Sequence, residues 1–213
     1  MVDRLGEAGR TLEPLCRVCF VGRLREGVEK SSHQMSCTQQ ISAMDDDKPI
    51  TGLLLTVPGA WIHLVEGAHK SVASFLRSLH ADALGLFECI RVIHAAEDVA
   101  QRHFSSWKVK EVSAARNDYA ELDSKNLPGL LGETVIGMLK LGAGLGKMGS
   151  GDMSKLDRWK EHFPDMPSNE RVVQLVDVEE VPSLVDFLTI FDAPVDLTME
   201  SDRVWPPERA MVY

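Results

Sequence analysis

Ile50-Thr51-Gly52-Leu53-Leu54-Leu55 opens an apolar run that turns at Pro58-Gly59 and returns as Trp61-Ile62-His63-Leu64-Val65-Glu66-Gly67. Pro-Gly between two such runs is a strong turn signal, so the spacing predicts a β-hairpin over residues 50–65. A period of two then places Trp61, His63 and Val65 on one face of the returning strand. Ile62, Leu64 and Glu66 take the other. Upstream, residues 15–24 form a short apolar run with Val and Phe, which reads as an opening strand. Residues 26–44 contain no proline and read as a helix. Asp45-Asp46-Asp47-Lys48-Pro49 ends it, because Pro49 drives Lys48 out of the helical region. Downstream, Val72, Phe75, Leu76 and Leu79 recur at helical spacing within 68–80, and strands follow at 88–95 and 107–112. The order is βαββαββ, an α+β, ferredoxin-like arrangement with helices packed on one face of the sheet.

Three regions result: a polar tail at 1–14, a domain at 15–113 and a mainly helical extension at 114–213. In the extension, 114–126 is polar, helix or linker. An amphipathic helix is expected over 130–141 through Leu131, Val135, Met138 and Leu139, then a glycine-rich loop at 142–151. Two more helices are expected at 171–176 and 182–191, an extended piece at 195–199, and a close on Val204-Trp205-Pro206-Pro207. Leu184, Phe187, Leu188, Ile190 and Phe191 exceed what one short helix buries against itself. Residues 182–191 are therefore expected to fold back on the domain and to leave 130–151 exposed for partners.

A length of 213 residues and 44% apolar composition suit one good core with a dependent extension. The net charge of −9 argues against nucleic acid and acidic lipid as partners, since no basic stripe is present to neutralise phosphates. The first residues are polar, with no apolar stretch of signal-peptide length, and no run approaches membrane-spanning length. These features and the four cysteines, too few for a disulfide framework, lead us to expect a soluble chain in a reducing compartment. Cys16-x-x-Cys19 has redox or zinc spacing, but it lies in the apolar run 15–21 with no second Cys/His pair.

The run from Ile50 to Gly67, with Phe104-Ser105-Ser106-Trp107 downstream, resembles the BLUF domain, a flavin-dependent blue-light sensor. The similarity covers about half of the chain, 15–112. In that family a Tyr on the first strand, an Asn late in the first helix and a Gln on the third strand surround the flavin ring. The corresponding residues here are Phe20, Asp45 and His63, while the Trp is kept as Trp107. Phe20 has no hydroxyl to act as the light-driven donor. An ionised Asp45 offers acceptors only, where Asn offers both a donor and an acceptor. His63 can donate but cannot reproduce the rearrangement of a Gln amide. A basic residue that follows the Asn in the family is Asp46 here. Each mispaired buried contact costs ~1–3 kcal/mol, so the resemblance implies a fold without its flavin. No cofactor and no metal are expected.

A second resemblance spans nearly the whole chain. Ile50–Leu55, His63 and the terminal Val204-Trp205-Pro206 are similar to features of the testis-expressed protein 47 family. That resemblance implies a non-enzymatic structural subunit of the motile-cilium or flagellar axoneme, in a central-pair projection first and a radial spoke second. The implied partners are other axonemal proteins, with pairing to a second copy or a related chain compatible. The alternative is a flavin- or small-ligand-binding sensor.

Other motifs carry less. In Gly142-Ala143-Gly144-Leu145-Gly146-Lys147, Leu141 stands where a phosphate loop needs its first Gly and Met148 where it needs a hydroxyl. Asp45-Asp46-Asp47 lacks the more distant ligands a calcium site requires. No Ser, Cys or Thr sits beside a His and a carboxylate in a catalytic pattern, and His33, His69, His80, His94, His103 and His162 show no ligand spacing.

Overall fold

A computed structural model describes residues 14–44, 49–81, 85–112, 125–147 and 163–191. The elements run β1 (Leu15–Leu24), α1 (Lys30–Ser42), β2 (Thr51–Val57), β3 (Ala60–Ala68), α2 (His69–Ala81), β4 (Phe87–Ala96) and β5 (Trp107–Glu111). Then follow α3 (Leu127–Lys147), α4 (Asn169–Asp177) and α5 (Leu184–Phe191). The sheet order is β4-β1-β3-β2-β5. All neighbours are antiparallel except the β2–β5 pair. This is the α+β, ferredoxin-like βαββαββ arrangement expected from the hairpin and the flanking periodicities.

The hairpin register explains the Thr-Gly at its entrance. Gly52 pairs with Val65 at φ +147, and a Cβ there would collide with the Leu64 carbonyl oxygen. Only glycine lets β2 come this close to β3. Along β1, β2 and β3 the side chains alternate between two apolar clusters. Val18, Phe20, Leu54, Trp61 and Val65 meet Val72, Phe75 and Leu76 of α2 and Cys37 of α1. Cys19, Val21, Leu53, Leu55, Ile62 and Leu64 meet α3 and α4 through Val135, Met138, Leu141, Val172 and Leu175.

Helices α1 and α2 lie on one face of the sheet, as expected for the βαββαββ domain, and the C-terminal helices α3 and α4 cover the other. The β-strands of the first domain are apolar on both sides, so the second face needs a cover, and the C-terminal helices supply it. Within 130–145, the expectation that 130–151 stays exposed fails for the same reason, as Leu130, Val135, Met138, Leu141 and Leu145 are buried, while 148–151 lie outside the described residues. The expected glycine-rich loop is also corrected, because its first part continues α3 to Lys147. A glycine in a helix costs ~1 kcal/mol relative to alanine, which hides this helix from propensity. Here the missing Cβ atoms are what packing needs: one at Gly142 would meet the Phe104 ring, and one at Gly144 the Phe163 ring. The phosphate-loop spacing thus lies partly on a helix.

Helix α5 begins with a Ser183–Asp186 cap, in which the Ser183 hydroxyl donates to the carboxylate and accepts from the Asp186 N–H. It rests beside α2 and β4 with Leu184 and Leu188 buried. Of the remaining expectations, Asp45-Asp46-Asp47, the stretch 195–199 and the terminal Val204-Trp205-Pro206-Pro207 lie outside the described residues. Among the described residues no helix is long and apolar enough to cross a membrane.

Gly52→Ala tests the register directly. The strained φ together with the backbone clash should lower stability by at least ~2 kcal/mol. An unchanged urea midpoint would show that β2 and β3 do not approach as described.

Candidate functional site

Residues on β1, β3, α1, α2 and β5 converge in the layer between the sheet and the first two helices. Phe20 and His63 are directly opposite in the β1–β3 register, and their rings lie 5.0 Å apart. Both are fully buried. Phe75 of α2 meets His63 edge-on at 5.6 Å, and the Trp107 indole N–H donates to His63 Nε2 at 2.9 Å. Of the four positions expected to matter, the fold brings together Phe20, His63 and Trp107, while Asp45 lies outside the described residues.

The Trp107 bond sets the tautomer of His63. Because Nε2 accepts, the ring proton resides on Nδ1, which is buried and has no partner. Burial and the neighbouring His33 hold the His63 pKa well below its ordinary value. A neutral, poorly hydrated imidazole is therefore the working form.

His33 is the member sequence reasoning missed. It sits on α1 with no exposed surface, and its ring lies 4.8 Å from Trp61 and 5.1 Å from Phe87. Neither ring nitrogen has a partner, and burial pushes its pKa down to about 4. Trp61 adds a third unpartnered group, its indole N–H. The signal was faint, since α1 has weak amphipathicity and His33 and Cys37 share a face only by their spacing of four. The layer is thus filled by aromatic and imidazole rings of the chain itself.

Beside it, an open groove of about 480 Å³ separates α1 from α2, lined by Gln40, Met44, Lys70, Ser71, Ser74 and Ser78. The Ser78 hydroxyl donates to Gln40 Oε1 at 3.0 Å and ties the two helices across it.

The other overlooked residue is Glu66, a fully buried carboxylate on β3. It accepts from Arg17 Nε at 2.8 Å and from the backbone N–H groups of His103 and Phe104 at 2.8 and 3.2 Å. Arg102 reinforces the junction by donating to the Glu66 carbonyl at 2.8 Å and to the Thr51 hydroxyl at 2.9 Å. A charged residue inside a nine-residue buried strand was the available clue, although Arg17 is 49 positions away.

The cysteine pair has no shared chemistry. Cys16 packs toward α1 and α2, and Cys19 packs toward α3 and α4. Burial raises both thiol pKa values, that of Cys16 to about 11. Among the described residues no group of three or more His, Cys, Asp or Glu is placed to hold a metal ion.

A family model described as Testis-expressed protein 47 matches residues 14–193. Among solved structures, the chain is similar to a bacterial light-regulated adenylyl cyclase, with 20% identity and a TM-score of 0.40. The match covers 68% of this chain and 40% of that one. It is also similar to the BLUF protein BlrB in its dark state, with 20% identity, 68% and 94% coverage and a TM-score of 0.39. BlsA in its photo-activated state matches at 15% identity, 70% and 94% coverage and a TM-score of 0.39. At these scores the assignment of the fold rests on the strand order and register.

The two neutral histidines make stability depend on pH. Their folded pKa values lie below the unfolded value near 6.5, so below that pH the unfolded chain binds more protons. Stability should be complete above pH 6.5 and fall as pH drops toward 4. His33 alone contributes about 3 kcal/mol of that loss. His33→Phe should flatten the urea midpoint between pH 6.5 and 4.5 relative to the unsubstituted chain. Equal slopes would mean that His33 is solvated in the folded state.

Proposed function

The chain belongs to the testis-expressed protein 47 family, and from that membership we propose a non-catalytic structural subunit of the motile-cilium or flagellar axoneme. Its place is a central-pair projection, with a radial spoke as the second location, and its partners are other axonemal proteins. The BLUF-like core serves as a protein-interaction module that has lost its flavin.

The observation that carries this reading is the occupied layer between the sheet and helices α1 and α2. Phe20, His63, Phe75 and Trp61 fill it with side chains that are at most 1% exposed. Opening space for a planar ring system would expose this packed aromatic core and return no hydroxyl at Phe20. Removing such aromatic contacts costs several kcal/mol. The buried His63 Nδ1–H is an unpartnered ring donor beside Phe20, and a single hydrogen bond nets about 1 kcal/mol. The balance disfavours the cofactor and leaves surface binding as the use of the fold. An acidic chain of net charge −9 then attaches to basic surfaces.

The groove between α1 and α2 favours the second reading, a small-ligand sensor, because Lys70 and three serines line it. Visible absorption after incubation with excess FAD or FMN and desalting separates the two. No bound flavin is expected, and a retained flavin band that red-shifts on illumination would overturn the scaffold reading.

For the location, the protein should stay with axonemes through demembranation with detergent and be released by high salt. Complete loss with the detergent-soluble fraction would remove the axonemal assignment. Retention at every salt concentration would remove the electrostatic mode of attachment.

A further inference from the structure

We propose that the cleft between α2, β4 and the start of α5 is a docking site for a basic amphipathic segment of a partner protein. The inference deepens the scaffold reading and rests on it for the existence of a partner. The cleft holds a pocket of about 270 Å³, whose apolar wall is made by Leu79, Phe87, Ile90, Leu184 and Val185. Val185 stands at its edge with 51% of its surface exposed, although the adjacent Leu184 is buried. A β-branched apolar residue held in water on a short, capped helix offers a fixed contact for another apolar side chain.

Charge selects the kind of partner. Glu88 lines the pocket, and Asp177 lies close to it, because Arg23 Nη1 reaches both carboxylates at 3.5 and 3.0 Å. Both carboxylates are more than half exposed. Asp186 follows Val185 on the exposed side of α5, and Glu179 is exposed on the connection from α4. The cation inside the pocket wall is engaged internally: Arg91 donates to the Val176 and Val181 carbonyl oxygens, both at 2.7 Å. An apolar pocket beneath an acidic rim suits one bulky apolar side chain flanked by Lys or Arg, which is what an amphipathic basic helix presents. Surface ion pairs such as Arg23–Asp177 are weak enough to exchange for intermolecular ones.

Cys89 also lines this pocket and is half-buried, whereas Cys16, Cys19 and Cys37 are fully buried. Alkylation of Cys89 therefore reports occupancy at the site itself. The test uses the full chain, a labelled amphipathic Leu/Lys peptide and its Leu/Glu counterpart, with affinity read by anisotropy and Cys89 alkylation read by mass spectrometry. The Leu/Lys peptide should bind and slow alkylation of Cys89, and the Leu/Glu peptide should do neither. Val185→Glu and Glu88→Lys should each weaken binding by roughly tenfold, while Glu111→Lys on β5, at the opposite edge of the sheet from β4, leaves it unchanged. Thermal melting of each variant separates lost binding from lost fold. Equal weakening by Glu111→Lys, or binding without protection of Cys89, would show general charge attraction and overturn the proposal. Absence of binding would overturn it too, and would leave the axonemal retention experiment unaffected.

Discussion

The carboxylate of Glu66 is the constraint on which both faces of this protein depend. A buried charge is tolerated only when its lone pairs are met, and Arg17 and the N–H groups of His103 and Phe104 meet them. In doing so they hold the connection between β4 and β5 against the sheet. Phe104 then presses its ring on the backbone of α3 at Gly142, which seats the C-terminal helix on one face. Three residues later Trp107 starts β5 and donates to His63 within the other face. One ion pair thereby links the outer helical layer to the aromatic layer beneath α1 and α2.

The aromatic layer beneath α1 and α2 is filled by side chains of the chain itself. Phe20 contributes packing where a hydroxyl would offer a hydrogen bond, and His63 accepts from Trp107 and places its remaining proton in an apolar setting. His33 and Trp61 add further unpartnered nitrogens. Such groups cost stability, and the surrounding contacts among Phe20, Trp61, Phe75 and Phe87 offset them. The chemistry available there is that of a neutral, closed interior. The surface differs: Val185 and the Glu88 and Asp177 carboxylates are exposed at the β4–α5 cleft and beside it.

The order of elements along the chain, the hairpin turn and the facing of Trp61, His63 and Val65 were legible because they follow from local periodicity and one Pro-Gly turn. Phe20, His63 and Trp107 could be named together from the resemblance, and their meeting reflects strand register. His33 was not legible, since burial of a histidine on a weakly amphipathic helix depends on what α1 covers. The helix expected over 130–141 is present, but its continuation to Lys147 was misjudged as loop because the glycines lower intrinsic helicity, and only the rings of Phe104 and Phe163 reveal why small residues are needed there.

The sequence by itself determined the alternation of apolar residues, and with it an α+β sheet whose strands need cover on both sides. It also determined the absence of a hydroxyl at Phe20, because that is a matter of residue identity. Tertiary structure alone decided which helices supply the cover, which nitrogens lose their partners and how Arg17 reaches Glu66. Those outcomes depend on contacts between residues far apart in the chain, and desolvation and ion pairing act on distance in space.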